Sequence, residues 1–466
     1  MTPADALRVT ARGAMAHSAP RSAAVHLFET GLGSHVFVAD GSRLFDAEPI
    51  LFSRLDTAQT DWAVGALLAE AGLDEAPAID DAALSGPPLH ALSLAVAQQC
   101  NLGCTYCYAQ QGEFGGAAQN MSRKTALQAV DLLVDAALPG SRLNLAFLGG
   151  EPLANRPVVQ AATRYAAERA AARGVDITFS ITTNGTLLQP ADGAFFEDYG
   201  FAVTISVDGP REVHDRLRPY QDGRGSYDRI MEHVRPLLAI QRTMQVSARV
   251  TVTPANLGLR TTLDQFIAEG FHSVGFAPLL SAPSGQGELQ RDDLDLMLGG
   301  MIDCGREYEH QIRTGARYPF ANMVNAMMEI GKGTHRPYPC GAGAGYLGVS
   351  ADGELASCHR FVGDPQAALG SLATGIDHRR QAAWLHERHV HRQAPCTGCW
   401  ARYLCGGGCH HEVIRRGRPA CDFIRGWLHY CLGAYLRVSA GAEPGSASDP
   451  SAVTSSLSDL APRIRV

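Results

Sequence analysis

The chain has 466 residues, more than one hydrophobic core normally supports, so two or three domains are expected. Its 45% apolar and 19% charged residues are those of an ordinary globular protein, and a net charge of −7 without a long basic run argues against nucleic acid as the principal partner. Neither end has a long uninterrupted apolar segment, so we expect no signal peptide, no membrane span and a cytoplasmic location.

The N-terminal part predicts a small α+β module. Residues 1–25 are rich in Ala, Ser and Arg and are expected to be flexible. Residues 34–39 and 43–46 flank the turn Asp40-Gly41-Ser42, which predicts a β-hairpin, and apolar residues on one face predict a helix over 61–73. With a linker from 74 to about 88, residues 26–87 are interpreted as a module that recruits a peptide as an extra strand; a plain cap over the next domain is the alternative.

Strand and helix patterns alternate from residue 88 to about residue 330. The strand candidates are 91–97, 143–147, 177–182, 202–207, 246–252 and 274–277. Helices are predicted between them, for example over 122–137 with Ser122 as N-cap and over 156–173 with Gly174 at its end. This α/β pattern predicts a parallel sheet with helices outside, either a partial (β/α)6 barrel or a doubly wound sheet, with ligands at the carboxyl ends of the strands.

Three cysteines, Cys100, Cys104 and Cys107, follow the first predicted strand in a C-x3-C-x2-C spacing. Three thiolates cannot complete a tetrahedral site, whereas an iron–sulfur cube held by three cysteines keeps one iron open to an external ligand. Glycine and polar residues separate the cysteines, so burial in a core explains them poorly. The loop resembles the cluster-binding motif of the radical S-adenosylmethionine (SAM) enzymes, in which an aromatic residue, here Tyr106, precedes the last cysteine.

That resemblance implies SAM contacts from the motifs that follow the other strands. In Gly149-Gly150-Glu151-Pro152, the glycines allow close backbone approach and the carboxylate suits the SAM ammonium group. Ser206 and Asp208 are candidates for the ribose hydroxyls, and Arg249 is the candidate for the SAM carboxylate.

Other polar residues lie on the same predicted rim. Asn184 is a further candidate contact with SAM or on the substrate side. His214 and Arg218, on the loop beyond the fourth strand, are candidates for pairing with carboxylates or contacting a peptide, and a solvated loop face is the alternative.

The remaining cysteines lie mostly beyond residue 339. Disulfide frameworks belong mainly to short secreted chains, so metal ligation in a reducing cytoplasm is the better interpretation of twelve cysteines in a chain of this length. Cys304 stands alone in a helix-like segment and is expected in the core. Eight cysteines follow it: Cys340, Cys358, Cys396, Cys399, Cys405, Cys409, Cys421 and Cys431. Structural zinc is the alternative for them, because C-x2-C pairs are also normal zinc ligands.

This C-terminal pattern resembles the SPASM extension of radical SAM peptide-modifying enzymes, over residues 331–439 here, with 440–466 as a flexible tail. The resemblance implies two auxiliary [4Fe–4S] clusters. The outer would be held by Cys396, Cys399, Cys405 and Cys421, and the inner by Cys340, Cys358 and Cys409. Unlike the sulfatase-maturating relatives, the chain has no cysteine between Gly341 and Ser357. The fourth inner position is therefore left to a substrate thiolate or to Cys431, unless Cys431 packs inertly in a helix.

Three sequence blocks, 346–349, 358–363 and 399–410, resemble those of SPASM peptide maturases that form sulfur-to-carbon thioether cross-links. This implies an enzyme that joins Cys to an Asp or Glu methylene in a small peptide or enzyme subunit. It would use SAM, three [4Fe–4S] clusters and an external reductant such as flavodoxin or ferredoxin. Two alternatives remain: another radical reaction on a peptide, namely cyclophane or formylglycine formation, and a non-catalytic iron–sulfur or zinc scaffold that transfers electrons or binds a partner.

Overall fold

The computed structural model describes residues 22–74, 79–82 and 84–440. The flexible ends predicted for residues 1–25 and 440–466 therefore lie almost wholly outside the described residues, as do parts of the predicted linker.

An antiparallel sheet and two helices form the N-terminal module. Its elements are β1 (Val25–Thr30), β2 (Gly33–Val38), β3 (Arg43–Asp46), α1 (Pro49–Thr57) and α2 (Asp61–Glu70). The predicted hairpin is the β2–β3 pair, in which Val38 pairs with Arg43. Thr60 begins α2 by accepting a hydrogen bond from the Ala63 amide at 3.1 Å. The strand β1 and the helix α1 were not predicted.

Six parallel strands form the centre of the chain. They are β4 (Ala91–Gln98), β6 (Arg142–Gly149), β7 (Asp176–Thr183), β8 (Ala202–Ser206), β9 (Gln245–Val252) and β10 (Ser273–Pro278), and the two-residue β5 (Gln119–Asn120) pairs with the end of β4. All six predicted strands are present. Their order in the sheet follows the chain, β4-β6-β7-β8-β9-β10, without the reversal that defines a doubly wound sheet. Of the two predicted arrangements, the partial barrel is therefore the observed one.

Helices connect the strands and cover the sheet. They are α3 (Arg123–Asp135), α4 (Arg156–Arg173), α5 (Pro190–Asp198), α6 (Arg211–Leu217), α7 (Tyr227–Ile240), α8 (Leu259–Ala268), α9 (Arg291–Arg313) and α10 (Ala321–Gly331). The predicted cap of α3 is confirmed, because Ser122 accepts a hydrogen bond from the Thr125 amide at 3.0 Å. Gly174 ends α4 in the left-handed conformation, as predicted.

The cysteine-rich end continues the same sheet. Its elements are β11 (Tyr346–Val349), β12 (Glu354–Ala356), β13 (Ala368–Ser371), β14 (Gly375–Ile376), α11 (His378–Arg388), α12 (Arg402–Cys405), α13 (His410–Arg416) and α14 (Cys421–Ala440). The strand β11 runs parallel to β4, with Leu347 opposite Leu92. The central sheet and the C-terminal region therefore share one hydrophobic core, which includes Leu92, Cys304 and Cys431. The core position predicted for Cys304 is confirmed.

The N-terminal module has a separate core that includes Val36, Val64 and Leu68. It contacts the cysteine-rich end, where the His26 and Trp400 rings stack with centroids 4.0 Å apart. Arg402 donates hydrogen bonds to the Ala23 carbonyl and, at 3.2 Å, to Asp40. None of the described helices combines the length and apolar character needed to cross a bilayer.

Candidate functional site

The Cys100–Cys107 loop leaves the carboxyl end of β4 and lies against the segment after α6. The Gly103 amide donates to the Pro219 carbonyl at 2.8 Å, and the Thr105 amide donates to the Leu217 carbonyl at 3.0 Å. Burial, with smaller contributions from the nearby Glu151, Cys104 and Cys107, raises the pKa of Cys100 to about 12. The three thiols thus form one group, and a metal that binds them displaces their protons.

A buried hydrogen-bond network lies behind the loop. The Tyr106 hydroxyl donates to Asp208 and accepts from Arg218 at 2.7 Å. The second Asp208 oxygen accepts from the Thr251 amide at 2.9 Å, and the Asp208 side chain has no exposed surface. Burial raises the pKa of Asp208, although the Arg218 guanidinium acts in the opposite direction. Tyr106 and Asp208 hold the cysteine loop to the end of β8.

The buried network bears on three predicted roles. Both carboxylate oxygens of Asp208 are bound inside the protein, and its contact with the SAM ribose stays a prediction. His214 is fully buried: it accepts from the Asp208 amide at 3.2 Å and contacts the Ser226 hydroxyl at 3.0 Å. Arg218 is buried and pairs with the Asp208 carboxylate at 3.9 Å, which is one of the two predicted options. Neither His214 nor Arg218 forms the peptide-binding surface considered above, and neither lies on a solvated face.

The Gly149–Pro152 motif packs against the start of the cysteine loop. A Cβ on Gly150 would lie 2.2 Å from the Gln99 carbonyl oxygen, so only glycine permits this approach. The Glu151 carboxylate is buried and accepts hydrogen bonds from the Thr183 hydroxyl and the Asn184 amide, each at 2.7 Å. Glu151 therefore joins two strand ends, and its contact with a SAM ammonium group stays a prediction.

Asn184 lies next to the first cysteine. Its side-chain nitrogen is 3.6 Å from the Cys100 sulfur and donates to the Asn101 side-chain oxygen at 3.0 Å. An amide donor beside the thiol suits a Cys100 thiolate. The structure thus brings Cys100, Glu151 and Asn184 together at one rim, as the sequence predicted.

Ser206 and Arg249 are opposite each other on β8 and β9. Arg249 alternates with the buried Ala248 and Val250, so its side chain projects from the other face of the sheet and keeps exposed surface. Partial loss of hydration in its surroundings lowers the pKa of Arg249, and the nearby Arg360 also lowers it, whereas Glu412 and Cys409 act in the opposite direction. Arg249 thus faces the C-terminal region.

Cys340, Cys358 and Cys409 form a second group. Burial raises the pKa of Cys358 to about 12, and Cys409 and Cys340 are close enough to add to that effect. The Arg360 guanidinium lies 3.7 Å from the Cys409 sulfur. Cys431 lies elsewhere: it is fully buried in α14, and the charged groups acting on it are Glu309 and Arg437. The observed surroundings of Cys431 favour packing in the helix, and its role as a ligand stays a prediction.

Cys396, Cys399, Cys405 and Cys421 form the third group and line one cavity of about 270 Å³, which Cys409 also borders. Burial, together with the other three thiols, raises the pKa of Cys405 to about 11. Cys405 and Cys409 are separated by Gly406, Gly407 and Gly408, which all have positive φ angles (68°, 97° and 78°). This left-handed run turns the chain so that Cys405 and Cys409 join different groups.

The all-cysteine donor sets of the three groups fit iron–sulfur cubes, which are held by cysteine thiolates. A cube places its thiolates on separate irons and therefore tolerates wider sulfur spacing. The cavity of the third group, which five cysteines line when Cys409 is included, provides room for such a cluster. The assignment of each cysteine to a cluster stays a prediction.

Sequence reasoning missed the residues between the first and second groups. Tyr108 is close to a cysteine of each group. Burial raises the pKa of its hydroxyl, and Cys107 of the first group and Cys358 of the second also raise it. The Arg360 guanidinium carbon lies 5.2 Å from the centre of the Tyr108 ring, and the His359 and His411 rings are 6.1 and 6.4 Å away. In the sequence, these residues could have been found only by their position, because Tyr108 directly follows Cys107 and His359 directly follows Cys358.

Comparisons with known proteins agree with this geometry. Residues 94–254 match the family model described as "Radical SAM superfamily". The chain is 26% identical over 345 residues to a serine-type anaerobic sulfatase-maturating enzyme from Klebsiella aerogenes, covering 71% of this chain and 82% of that protein.

Two solved structures have the same fold. One is native anSMEcpe with bound AdoMet and the Cp18Cys peptide (TM-score 0.62, 19% identity, 76% of this chain and 99% of that chain). The other is Streptococcus suis SuiB bound to its precursor peptide SuiA (TM-score 0.51, 14% identity, 86% of this chain and 97% of that chain). The described part of the chain thus combines a Radical SAM domain with a cysteine-rich C-terminal region, and these similarities support a radical SAM enzyme that modifies peptides.

Proposed function

We propose that this enzyme modifies a peptide by joining a cysteine sulfur to the methylene carbon of an Asp or Glu side chain. The observation that carries the proposal is the second cysteine group, which has three candidate ligands and lies across Tyr108 from the Cys100–Cys107 loop. A substrate thiol at the fourth position of that group would lie beside the place where a hydrogen atom is removed. The blocks around Cys358 and Cys409 also resemble the enzyme that matures the small cross-linked subunit of quinohemoprotein amine dehydrogenase, and six-cysteine peptide maturases are similar.

Each of the three cysteine groups would hold one cluster. Cys100, Cys104 and Cys107 would hold the SAM-binding [4Fe–4S] cluster, and the other two groups would hold auxiliary clusters. When bound, these clusters supply the electron that splits SAM into methionine and a 5′-deoxyadenosyl radical, and they accept the electron left over from cross-linking. Flavodoxin or ferredoxin is the class of reductant expected, and a reducing compartment such as the cytoplasm would keep the twelve free thiols reduced.

The atoms of the proposed cross-linking reaction balance. One C–H bond and one S–H bond of the peptide break, and one C–S bond forms. The hydrogen atom leaves in 5′-deoxyadenosine, and the thiol proton leaves to a base or to water. The buried aromatic and histidine side chains around Tyr108 would keep water away from the carbon radical.

The N-terminal module would bind a leader segment of the substrate. In its sheet, β3 is an edge strand, so an extended peptide can add to it through main-chain hydrogen bonds. The SuiB structure, whose title names a bound precursor peptide, supports a peptide as the partner.

The second candidate is the maturation of a sulfatase by a different radical reaction. It is favoured by the similarity to sulfatase-maturating enzymes. It is disfavoured by the absence of a cysteine between Gly341 and Ser357.

Co-expression with short cysteine-containing peptides encoded next to the gene tests the proposal, with tandem mass spectrometry as the measurement. We expect a mass lower by two hydrogen atoms for each cross-link and loss of one alkylatable cysteine. The Cys104→Ala variant should give unmodified peptide and no 5′-deoxyadenosine. Oxidation without cysteine loss would favour the second candidate, and wild-type protein that makes no 5′-deoxyadenosine when reduced and loaded with iron would exclude catalysis.

A further inference from the structure

Residues 279–289, which follow β10, form a closed loop that we call the β10 loop. The Leu289 amide donates to the Leu279 carbonyl at 2.9 Å and so closes the loop at its base. The tip, residues 283–287, is exposed. Because the carboxyl ends of parallel strands meet at one rim, the β10 loop begins at the same rim as the Cys100–Cys107 loop. Compact loops with closed ends are frequently functional.

The base of the β10 loop lies between the first and third cysteine groups. Leu279 and Ala282 belong to one buried apolar cluster with Tyr106 and Leu217. Leu280, the residue between them in the chain, lines the cavity of the third group. Neighbouring side chains of one short segment therefore pack toward the Cys100–Cys107 loop on one side and toward the third group on the other.

Arg416, the last residue of α13, holds the base of the β10 loop to the cysteine-rich region. Its Nη1 donates to the Leu280 carbonyl at 2.7 Å and to the Leu289 carbonyl at 2.9 Å. Its Nη2 donates to the Gln290 side chain at 3.0 Å, and its Nε lies 3.2 Å from the Glu288 carboxylate. All three guanidinium nitrogens have partners, and the Arg416 and Glu288 side chains are mostly buried. Several charge-assisted hydrogen bonds from one planar group fix the base in one geometry.

We propose that the β10 loop is a wall that shields the Cys100–Cys107 loop from small solutes, and that Arg416 is the positioning residue that holds this wall closed. A carbon radical formed at this rim survives only where other hydrogen donors are kept away. The shielding role rests on the radical chemistry of the proposed function. The hold of Arg416 on the β10 loop does not.

Amide hydrogen exchange on the full-length, cluster-loaded protein tests this hold without catalysis. In Arg416→Gln, exchange at the base of the β10 loop should be roughly tenfold to hundredfold faster, because charge-assisted hydrogen bonds are lost there. Arg415→Gln is the matched control, since Arg415 is the neighbouring residue on α13 and pairs with Asp364 at 2.7 Å. It should leave exchange in the β10 loop as in the wild type. Equal exchange in the two variants would overturn the proposal.

A second measurement tests the shielding itself. The protein is reduced with dithionite and given SAM, without peptide, in buffer that contains glycerol deuterated at carbon. When a 5′-deoxyadenosyl radical meets glycerol, one C–D bond of glycerol breaks and one C–D bond forms in 5′-deoxyadenosine. The glycerol radical left behind combines with the sulfur dioxide radical anion that dithionite supplies.

Mass spectrometry then gives the deuterated fraction of the 5′-deoxyadenosine. We expect this fraction to be severalfold higher in Arg416→Gln than in the wild type or in Arg415→Gln. A general loss of stability would lower the amount of 5′-deoxyadenosine without raising its deuterated fraction. Faster exchange in the β10 loop with an unchanged deuterated fraction would overturn the shielding role.

Arg416→Lys keeps the charge but cannot bind two carbonyls and a carboxylate together, so its exchange in the β10 loop should fall between the wild type and Arg416→Gln. If Arg416→Gln does not retain its iron, the Lys variant decides, and exchange equal to the wild type would overturn the hold. If the wild type makes no 5′-deoxyadenosine, the proposed function is wrong, and hydrogen exchange still decides whether Arg416 holds the loop.

Discussion

The Cys100–Cys107 loop and the C-terminal cysteine region are held in place by different means. The loop is fixed by hydrogen bonds that lead into the parallel sheet, through Tyr106 and Asp208 on one side and Glu151 on the other. The C-terminal cysteines lie on turns and on helices as short as α12, of four residues, and α13, of seven. Most buried side-chain atoms without a hydrogen-bond partner also lie there, among them atoms of His389, His410 and His411. We infer that the loop is preorganised, whereas the C-terminal region is completed by its metal clusters.

The largest expected effect is that of removing iron with a chelator. Amide hydrogen exchange in segment 396–421 should speed up at least about a thousandfold, because cluster binding there is also folding energy. Strand β6 should keep its protection, and so should β8. Equal loss of protection in both regions would contradict the comparison, as would no loss in either.

The second expected effect concerns the ion pair that joins helix α9 to the C-terminal helix α14. Glu309 on α9 is buried and accepts hydrogen bonds from Arg437 at 2.7 Å and Tyr430 at 2.6 Å, both on α14. Glu309→Gln leaves the partly exposed Arg437 charge without its partner, so the free energy of unfolding should fall by about 1–3 kcal/mol in denaturant titrations. Glu232→Gln, in an exposed pair with Arg229, is the control and should change it by less than about 1 kcal/mol.

The same pair predicts a pH dependence. Burial acts to raise the pKa of Glu309, but the hydrogen bonds from Arg437 and Tyr430 lower it below the ordinary value of 4.5. A carboxylate with a lowered pKa in the folded state stabilises the protein above the unfolded-state pKa. The difference between wild type and Glu309→Gln should therefore be full at neutral pH and shrink as the pH falls below 4.5. A difference that grows on acidification would show that another group dominates.

A third test separates a steric clash from backbone strain. Gly406 and Gly417 both have positive φ angles, but a Cβ on Gly406 would lie 2.4 Å from the Tyr338 and Pro339 backbone, whereas nothing lies within 4 Å of one on Gly417. Gly417→Ala should cost about 1–3 kcal/mol, because φ 79° and ψ −137° lie in a region that favours glycine, and it should keep the full iron content. Gly406→Ala should lose iron from the auxiliary groups while keeping SAM cleavage. Matching iron contents in the two variants would show that the left-handed glycine run does not position Cys405 and Cys409.

The smallest expected effect is at the preorganised loop. Tyr106→Phe removes one hydroxyl from the Asp208–Arg218 network and leaves both charges in place. The loss of about 1–2 kcal/mol should appear as a severalfold lower rate of SAM cleavage with unchanged iron in the auxiliary groups. A loss of iron from those groups instead would mean that the two regions are coupled more closely than their contacts suggest.

Patterns in the sequence predicted the strands, because alternation and strand ends are local. The division of the C-terminal cysteines into two groups came from the family resemblance and stays a prediction. The sequence patterns did not predict how polar side chains satisfy one another. Tyr106 and Asp208 are 102 residues apart, so their hydrogen bond was hidden in the sequence. Arg360 and Glu412 are 52 residues apart, so their ion pair was equally hidden.

The pairing of β11 with β4 has a consequence for synthesis of the chain on the ribosome. The edge of β4 that pairs with β11 has no partner until β11 is synthesised, roughly 250 residues later. During that interval the partly made barrel exposes an unpaired, apolar strand edge. Truncation before Tyr346 should therefore leave a nascent chain that aggregates or recruits chaperones. Early iron loading at Cys100, Cys104 and Cys107 would then fall in the same interval, before the last cysteines have been made.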